Sequence, residues 1–276
     1  IQHLSKGHNI LNINNLDGFV HNEWTFNTKN ADILTLSLGL RANYWGYNNE
    51  VNVSPRAGLA YKPGWNNDML FRLSGGVYVQ PPFYRELRMF DGSLVKPENA
   101  TTQKSYQVVL THEYNFNAWD RPFVLTSELY YKYLKDIIPY EVDNIRIRYY
   151  ADQKATGYAT GLDIRLNGEF VKGIDSWASL SIMKSAENIK YYLSPTGSIL
   201  TQTQVDNGTE YVSDTIIKGI PRPSDQRINF SLFFQDYLPY IPSFKVNLKL
   251  VFGTGMQFGT PYGERYTQKM RMSASR

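Results

Sequence analysis

The chain contains no cysteine, which removes disulfides, zinc–thiolate centres and thiol nucleophiles from its chemistry. No apolar run approaches the roughly eighteen residues that a transmembrane helix needs. That leaves strands as the only route across a membrane, because a barrel strand alternates apolar and polar residues and leaves little hydropathy signal. Blocks of like charge are also missing. The 29 Lys and Arg are scattered among 25 Asp and Glu, for a net charge of +4, which argues against a nucleic-acid partner. The four histidines, His3, His8, His21 and His112, sit in no metal-ligand spacing, so no metal and no cofactor are expected. The opening "IQHLSKGHNI" has neither an apolar core nor an initiating Met, so it reads as no signal peptide. The chain is expected to be a mature piece or a fragment.

Aromatic residues are abundant: 21 Tyr, 14 Phe and 5 Trp, or 14% of the chain. Such enrichment suits sheets and membrane-interface belts. Period two dominates, and no segment follows a 3.6-residue period. Leu34, Leu36, Leu38, Leu40, Ala42 and Tyr44 share one face, while Thr35, Ser37, Gly39, Arg41 and Asn43 share the other. That run spans about eleven residues, where soluble strands average about five to six and a tilted bilayer-crossing strand needs about 9–11. Similar alternation predicts strands near 16–26, 53–61, 69–79, 106–116, 123–131, 162–170, 178–182, 228–234 and 244–252.

The connections alternate in length. "TKNAD", "GWNND", "NAWDR", "KGIDS" and "LPYIPS" are short, whereas "GYNNEVN", 81–100, 135–156, 189–225 and the stretch from 257 are longer. Short turns on one side and long loops on the other are the asymmetry of an outer-membrane barrel. Trp24, Phe26, Tyr61, Phe71, Phe116, Phe123, Phe170 and Phe244 lie near the short turns on the apolar face, as an inner-rim girdle would. A soluble β-sandwich also alternates, but its strands are shorter and its turns do not sort by side. The expected fold is therefore all-β: an antiparallel up-and-down transmembrane β-barrel, partial, with about ten long strands. The expected domain is a single one over 1–276, with 1–15 and 257–276 as remnants of extracellular loops.

In "GVYVQPPFYREL" (76–87) the strand must end by Gln80, since Pro81 and Pro82 cannot donate ladder hydrogen bonds. Gln80 then marks the outer membrane boundary, and Phe83 and Tyr84 suit the rim.

Other motifs carry little chemistry. "GTGMQFG" (253–259) lacks the Lys and helix of a phosphate loop. "NGT" (207–209) is a chance sequon, and Glu210 and Asp214 lie in a polar loop. No catalytic residue is expected, and the protein is expected not to be an enzyme. The polar strand faces mix signs: Glu23, Arg41, Arg56, Arg72, Glu113, Glu128, Lys132, Asp163, Arg165, Glu169, Lys245 and Lys249 are all expected to face a lumen. They suit either a solvated wall or a path for a polar solute.

"SPRAGLAYKP" (54–63), "GVYVQPPFYREL" (76–87), "GYATGLDIRLNGEF" (157–170) and "PRPSDQRINFSLFFQDYLP" (221–239) closely resemble the C-terminal half of TonB-dependent outer-membrane receptors of the Bacteroidota type. The similarity runs from about Leu16 to Phe258. These are barrel-strand motifs and are silent about the ligand. The resemblance implies a barrel of about 22 strands with an N-terminal plug, energised by an inner-membrane TonB complex. On that resemblance the lumen-facing charges also suit contacts to a plug. The sequence shows no plug, no TonB-contacting segment and no closing aromatic-ended strand, so it is expected to be a fragment, approximately strands 12 to 21 of such a barrel. Expected partners are outer-membrane lipid, the TonB complex through the missing plug region, and an unidentified small solute: a siderophore, cobalamin, a glycan or a peptide. The expected location is the bacterial outer membrane. The alternative function is a passive porin, or a structural or adhesive barrel, without energy coupling. Solute contacts are expected in the long loops, with Phe83, Tyr84, Arg85 and Arg88 first and Tyr191 and Tyr192 next. Aromatics offer area at low entropy cost, and Arg offers forked hydrogen bonds.

Overall fold

The computed structural model describes residues 10–28, 31–89, 92–143, 146–193, 195, 199–200, 208, 210, 213–238 and 240–256. The segments 1–9 and 257–276 lie outside these residues, and with them most of the two expected terminal loop remnants, His3, His8 and much of "GTGMQFG". Asn207 and Thr209 of the sequon lie outside them too.

Fourteen strands form in chain order: β1 (Asn15–Asn27), β2 (Ile33–Trp45), β3 (Glu50–Lys62), β4 (Asp68–Gln80), β5 (Gln103–Ala118), β6 (Arg121–Ile137), β7 (Tyr140–Asp143), β8 (Arg146–Tyr149), β9 (Ala155–Val171), β10 (Ile174–Leu193), β11 (Ile199–Leu200), β12 (Ser213–Pro221), β13 (Ile228–Leu238) and β14 (Ile241–Gly253). The wall is one antiparallel sheet in the order β1-β2-β3-β4-β5-β6-β9-β10-β13-β14. All ten expected strands are present, in sequence order, as an up-and-down transmembrane barrel wall. β7 and β8 form a separate hairpin.

Register keeps the apolar and polar faces in step across the wall, with few exceptions such as His112 and Phe19. On one face Leu36 stands opposite Trp24 and Leu59, Leu73 opposite Leu59 and Leu110, and Leu129 opposite Leu110 and Leu162. Beside it on the other face, Arg72 stands opposite Thr111, and Glu128 opposite Asp163. Burial tells which face is enclosed. On β3, Val51 and Val53 are 67% and 53% exposed, while Asn52 and Ser54 are each 4% exposed. A water-soluble sheet would do the reverse. The polar face is covered by loops and looks inward; the apolar face looks out, toward lipid.

The short turns lie on one side, as expected. Trp119 and Asp120 make a two-residue hairpin with both φ values positive, 52° and 57°. Lys172 and Gly173 make another, with Gly173 at φ 76° supplying the left-handed position. The opposite side differs from expectation at one place. "GYNNEVN" is not a long connection; only residues 46–49 separate β2 from β3, with Asn49 at φ 59°. Asn tolerates that conformation, which lets four residues close the turn.

Aromatics band the outer face at two heights. Near the short turns, Phe116 stacks on Phe123 at 5.6 Å and Phe170 meets Phe123 edge-on at 5.2 Å. Higher up, Tyr106 and Tyr133 pair at 6.1 Å and Tyr158 stands opposite Tyr133. Phe123 and Tyr133 are ten residues apart on β6. At about 3.4 Å per residue and a tilt of ~45°, this projects to roughly 24 Å, the height of a bilayer's apolar band.

β10 runs 20 residues, longer than the bilayer requires. Its lower part pairs with β13 (Trp177 to Ile182) and its upper part with β12 (Ala186 to Leu193), so β12 and β13 lie end to end along one edge. The segment expected as a loop over 189–225 is thus partly strand, and so is the 135–156 segment, where β6 continues to Ile137 and the β7–β8 hairpin follows. Above the membrane the facing inverts. Ile137, Ala155, Ile189 and Ile220 form a buried cluster, with Leu134 and Ile217 against it. Water surrounds this part of the wall, so apolar residues turn inward there.

Candidate functional site

The 81–102 connection does not stand free. Leu87, Val95 and Ala100 pack on Trp45, at the outer end of β2, with Ala151 of the next connection beside them. Tyr47 donates its hydroxyl to the carbonyl of Val95. Glu50 ties the base of this layer: its carboxylate accepts from the Thr102 amide (3.0 Å) and hydroxyl (2.8 Å) and pairs with Lys104 Nζ at 3.1 Å. The rim therefore leans inward over the lumen face.

Glu86 is the hinge of the exposed part. Its Oε2 accepts from the Phe83 amide at 2.9 Å and from Gln103 Nε2 at 3.1 Å. Gln103 Oε1 in turn accepts from the amide of Ile138, joining two connections. Burial pushes the Glu86 carboxyl above its ordinary value, against those two hydrogen bonds. The β7–β8 hairpin approaches from the other side. Burial raises the Tyr149 hydroxyl, and the charge of Glu86 adds to that while Arg85 opposes it. The Arg222 guanidinium lies 6.0 Å from the Tyr140 ring, bringing the connection after β12 to the same hairpin.

Against this frame the six expected contact residues divide. Phe83 and Tyr84 are 65% and 43% exposed, and Arg85 is exposed beside them. Arg88 is half-buried and pairs its backbone with Leu94. Tyr191 and Tyr192 are not in an unpaired loop: they belong to β10 and stand opposite Thr215 and Asp214. Tyr192 is 8% exposed, so it packs instead of presenting a surface. The structure thus offers Phe83, Tyr84 and Arg85 to solvent as a group and withdraws Tyr192.

The rim residues that sequence alone did not single out are Gln103, Tyr140, Tyr149 and Arg222. The "RIRYY" run (146–150) was the available signal for the hairpin, since it alternates Arg with apolar or aromatic residues. Buried Asp225 was equally silent. It is fully buried, accepts the Ser185 amide at 2.7 Å and pairs with Arg227 at 2.9 Å. It bridges the gap on β10 between the β12 and β13 pairings, where Arg222 N–H and Arg227 C=O also bond to Ser185 and Met183. The "PRPSDQR" motif is a strand splice.

Of the expected lumen charges, several are already engaged. Arg41 is bound to Asp17 at 2.8 Å. Glu169 accepts the Gly173 amide at 2.8 Å and caps a short turn. Glu128 accepts from Thr111 at 3.1 Å, and Lys132 lies 5.2 Å from the Tyr130 ring. His21 and His112 fall on opposite faces, His112 stacking on Phe71 at 5.0 Å. Among the described residues no group of three or more His, Asp or Glu could hold a metal ion.

A family model described as TonB dependent receptor-like, beta-barrel matches residues 7–273, nearly the whole chain. No curated protein and no solved structure matches it.

Proposed function

The chain belongs to the TonB-dependent receptor-like β-barrel family, and from that premise we propose that it is part of an importer of the Bacteroidota type that takes up a scarce solute. The family is one of outer-membrane transporters and receptors, not of enzymes. The solute is a siderophore, cobalamin, a glycan or a peptide. Phe83, Tyr84 and Arg85 make first contact with it, and a plug segment carried outside this chain couples release to the TonB complex. The chain is then one partial barrel domain, completed by further strands. The supporting observation is the rim. Two aromatic rings and a guanidinium are held at the lumen mouth by a layer fixed through Glu86, Gln103 and Trp45. Recognition residues on rigidly supported loops are the usual design of such sites.

The test is uptake by the full-length receptor, assayed with iron–siderophore, cobalamin, oligosaccharide and oligopeptide panels in cells with and without TonB. Whichever panel is imported should depend on TonB. The triple substitution of Phe83, Tyr84 and Arg85 by Ala should cut its uptake about tenfold or more with normal membrane insertion. Uptake indifferent to TonB would instead mark a passive porin.

A further inference from the structure

Midway down the lumen face stands a cation with no counter-charge among the described residues. Arg56 is six residues from Glu50 at the outer end of β3 and six from Lys62 at the inner end. Its cross-strand neighbours are both glycines, Gly39 on β2 and Gly76 on β4. A Cβ on Gly76 would stand 2.9 Å from Arg56 Cγ, so that glycine leaves the side chain its path along the wall. The guanidinium carbon lies 4.4 Å from the centroid of the Tyr78 ring. Such a contact orients the guanidinium but leaves its N–H fork open.

Several cations of the same wall are paired, although Arg72, four residues from Gly76 on β4, has no ion pair among the described residues either. Arg41 has Asp17, Lys62 has Asp68 at 2.6 Å, and Lys104 has Glu50. Among the described residues no carboxylate lies within ion-pair distance of Arg56. Arg56 instead borders a lumen-side cavity of about 600 Å³, whose other polar walls include His21, Ser37 and Ser74. Phe19 also lines it and is 84% exposed on a face that is otherwise mostly polar.

We propose that this cavity is an anion-binding station at mid-depth in the lumen. Arg56 takes a carboxylate through two parallel N–H bonds, and Phe19 and Tyr78 flank the apolar body that bears it. The carboxylate comes either from a solute in transit or from an Asp or Glu of polypeptide that fills the lumen. The inference stands on the inward register of β1 to β4, so it survives or fails independently of solute import.

The lack of cysteine in this chain makes a direct test available. Ser74→Cys places a thiol beside Arg56, and Asn66→Cys in the exposed β3–β4 turn is the reference, both in a full-length receptor without other cysteines. Labelling rates are measured with an anionic (ethylsulfonate) and a cationic (ethyltrimethylammonium) methanethiosulfonate. The anionic-to-cationic rate ratio at 74, relative to 66, should exceed one by about tenfold. It should fall to about one in Arg56→Gln. Benzoate should protect the thiol when Arg56 is present. Arg56→Lys should keep the rate ratio and lose the protection, because an ammonium has the charge without the fork. If position 74 reacts only once the lumen-filling polypeptide is deleted, the native carboxylate belongs to the protein. If it reacts at once and benzoate protects it, the station is open to solutes. A rate ratio at 74 that equals the reference and ignores Arg56→Gln overturns the proposal, as does an absence of benzoate protection in both forms.

Discussion

Asn52 and Val53 are adjacent, and the polar one is buried while the apolar one is exposed. Only a solvent of hydrocarbon on the Val53 side makes that arrangement favourable. The same reasoning fixes the outcome of single charges. Leu36 lies on the outer face between Trp24 and Leu59, whereas Ser37 lies on the inner face opposite Glu23 and Gly58. Leu36→Arg should destabilise the barrel by about 2–4 kcal/mol near the bilayer midplane. Ser37→Arg should cost much less. Guanidinium unfolding of the full-length receptor in micelles measures both, and the reverse order would mean that the faces are inverted. Asp225 obeys a different rule. Its carboxylate stands in for a missing ladder acceptor at Ser185. Asp225→Ala should cost about 1–3 kcal/mol, the penalty of an orphaned buried donor, and Asp225→Asn should recover part of it by keeping an oxygen there. Equal losses in the two variants would show that charge, through Arg227, matters more than the Ser185 bond.

At the scale of elements, the wall and the rim obey opposite patterns, and this explains which was legible. β2 and β5 cross lipid, so their alternation runs unbroken from Leu34 to Tyr44 and, with His112 as its one polar interruption, from Tyr106 to Phe116. The upper β10, with β12, stands in water and turns Ile189, Ile217 and Ile220 inward. Its alternation is short, shifted by an irregularity between Glu187 and Ile189, and flanked by turn formers, so those residues read as loop and Tyr192 as exposed. The exposure of Phe83 and Tyr84 was legible because Pro81 and Pro82 mark the strand end without ambiguity. The support beneath them was not, since the Trp45–Leu87–Val95 contact joins residues far apart in sequence. The rim element should also respond to pH. Because burial raises the Glu86 carboxyl above its unfolded value, the docked loop binds the proton more tightly than the released one. Its contribution to docking is fully present below the ordinary carboxylate value and is lost as pH rises through the raised one. Hydrogen exchange across residues 83–89, corrected for intrinsic rates, should therefore quicken across that window. Glu86→Gln should remove the dependence, and a loop that tightens with rising pH would contradict it.

For the whole molecule the decisive feature is that, among the described residues, the sheet does not close on itself. Among the described residues β1 pairs only with β2 and β14 only with β13. Every residue of β1 is exposed, where β9, with a neighbour on each side, is mostly half-buried. Each free edge is a row of backbone donors and acceptors, and in hydrocarbon each such group costs several kcal/mol when unpaired. β14 carries Lys245 and Lys249 and an irregular register beside Tyr237, but these lie on its lumen face or at its inner end and leave its lipid face bare. β1 carries Asp17 and Glu23 on its inner face, but on its outward face Leu16, Val20 and Trp24 are bare. Residues 1–276 expressed alone and refolded into micelles should therefore pair edge to edge and run as polydisperse oligomers. They should show no compact, heat-modifiable monomer band in gel electrophoresis, while the full-length receptor should show one. If, as proposed, further strands complete the barrel, supplying them in trans as a separate polypeptide should restore that band. A monodisperse, heat-modifiable monomer from residues 1–276 alone would mean that β1 and β14 can pair with each other, and the wall would then be a small barrel in its own right.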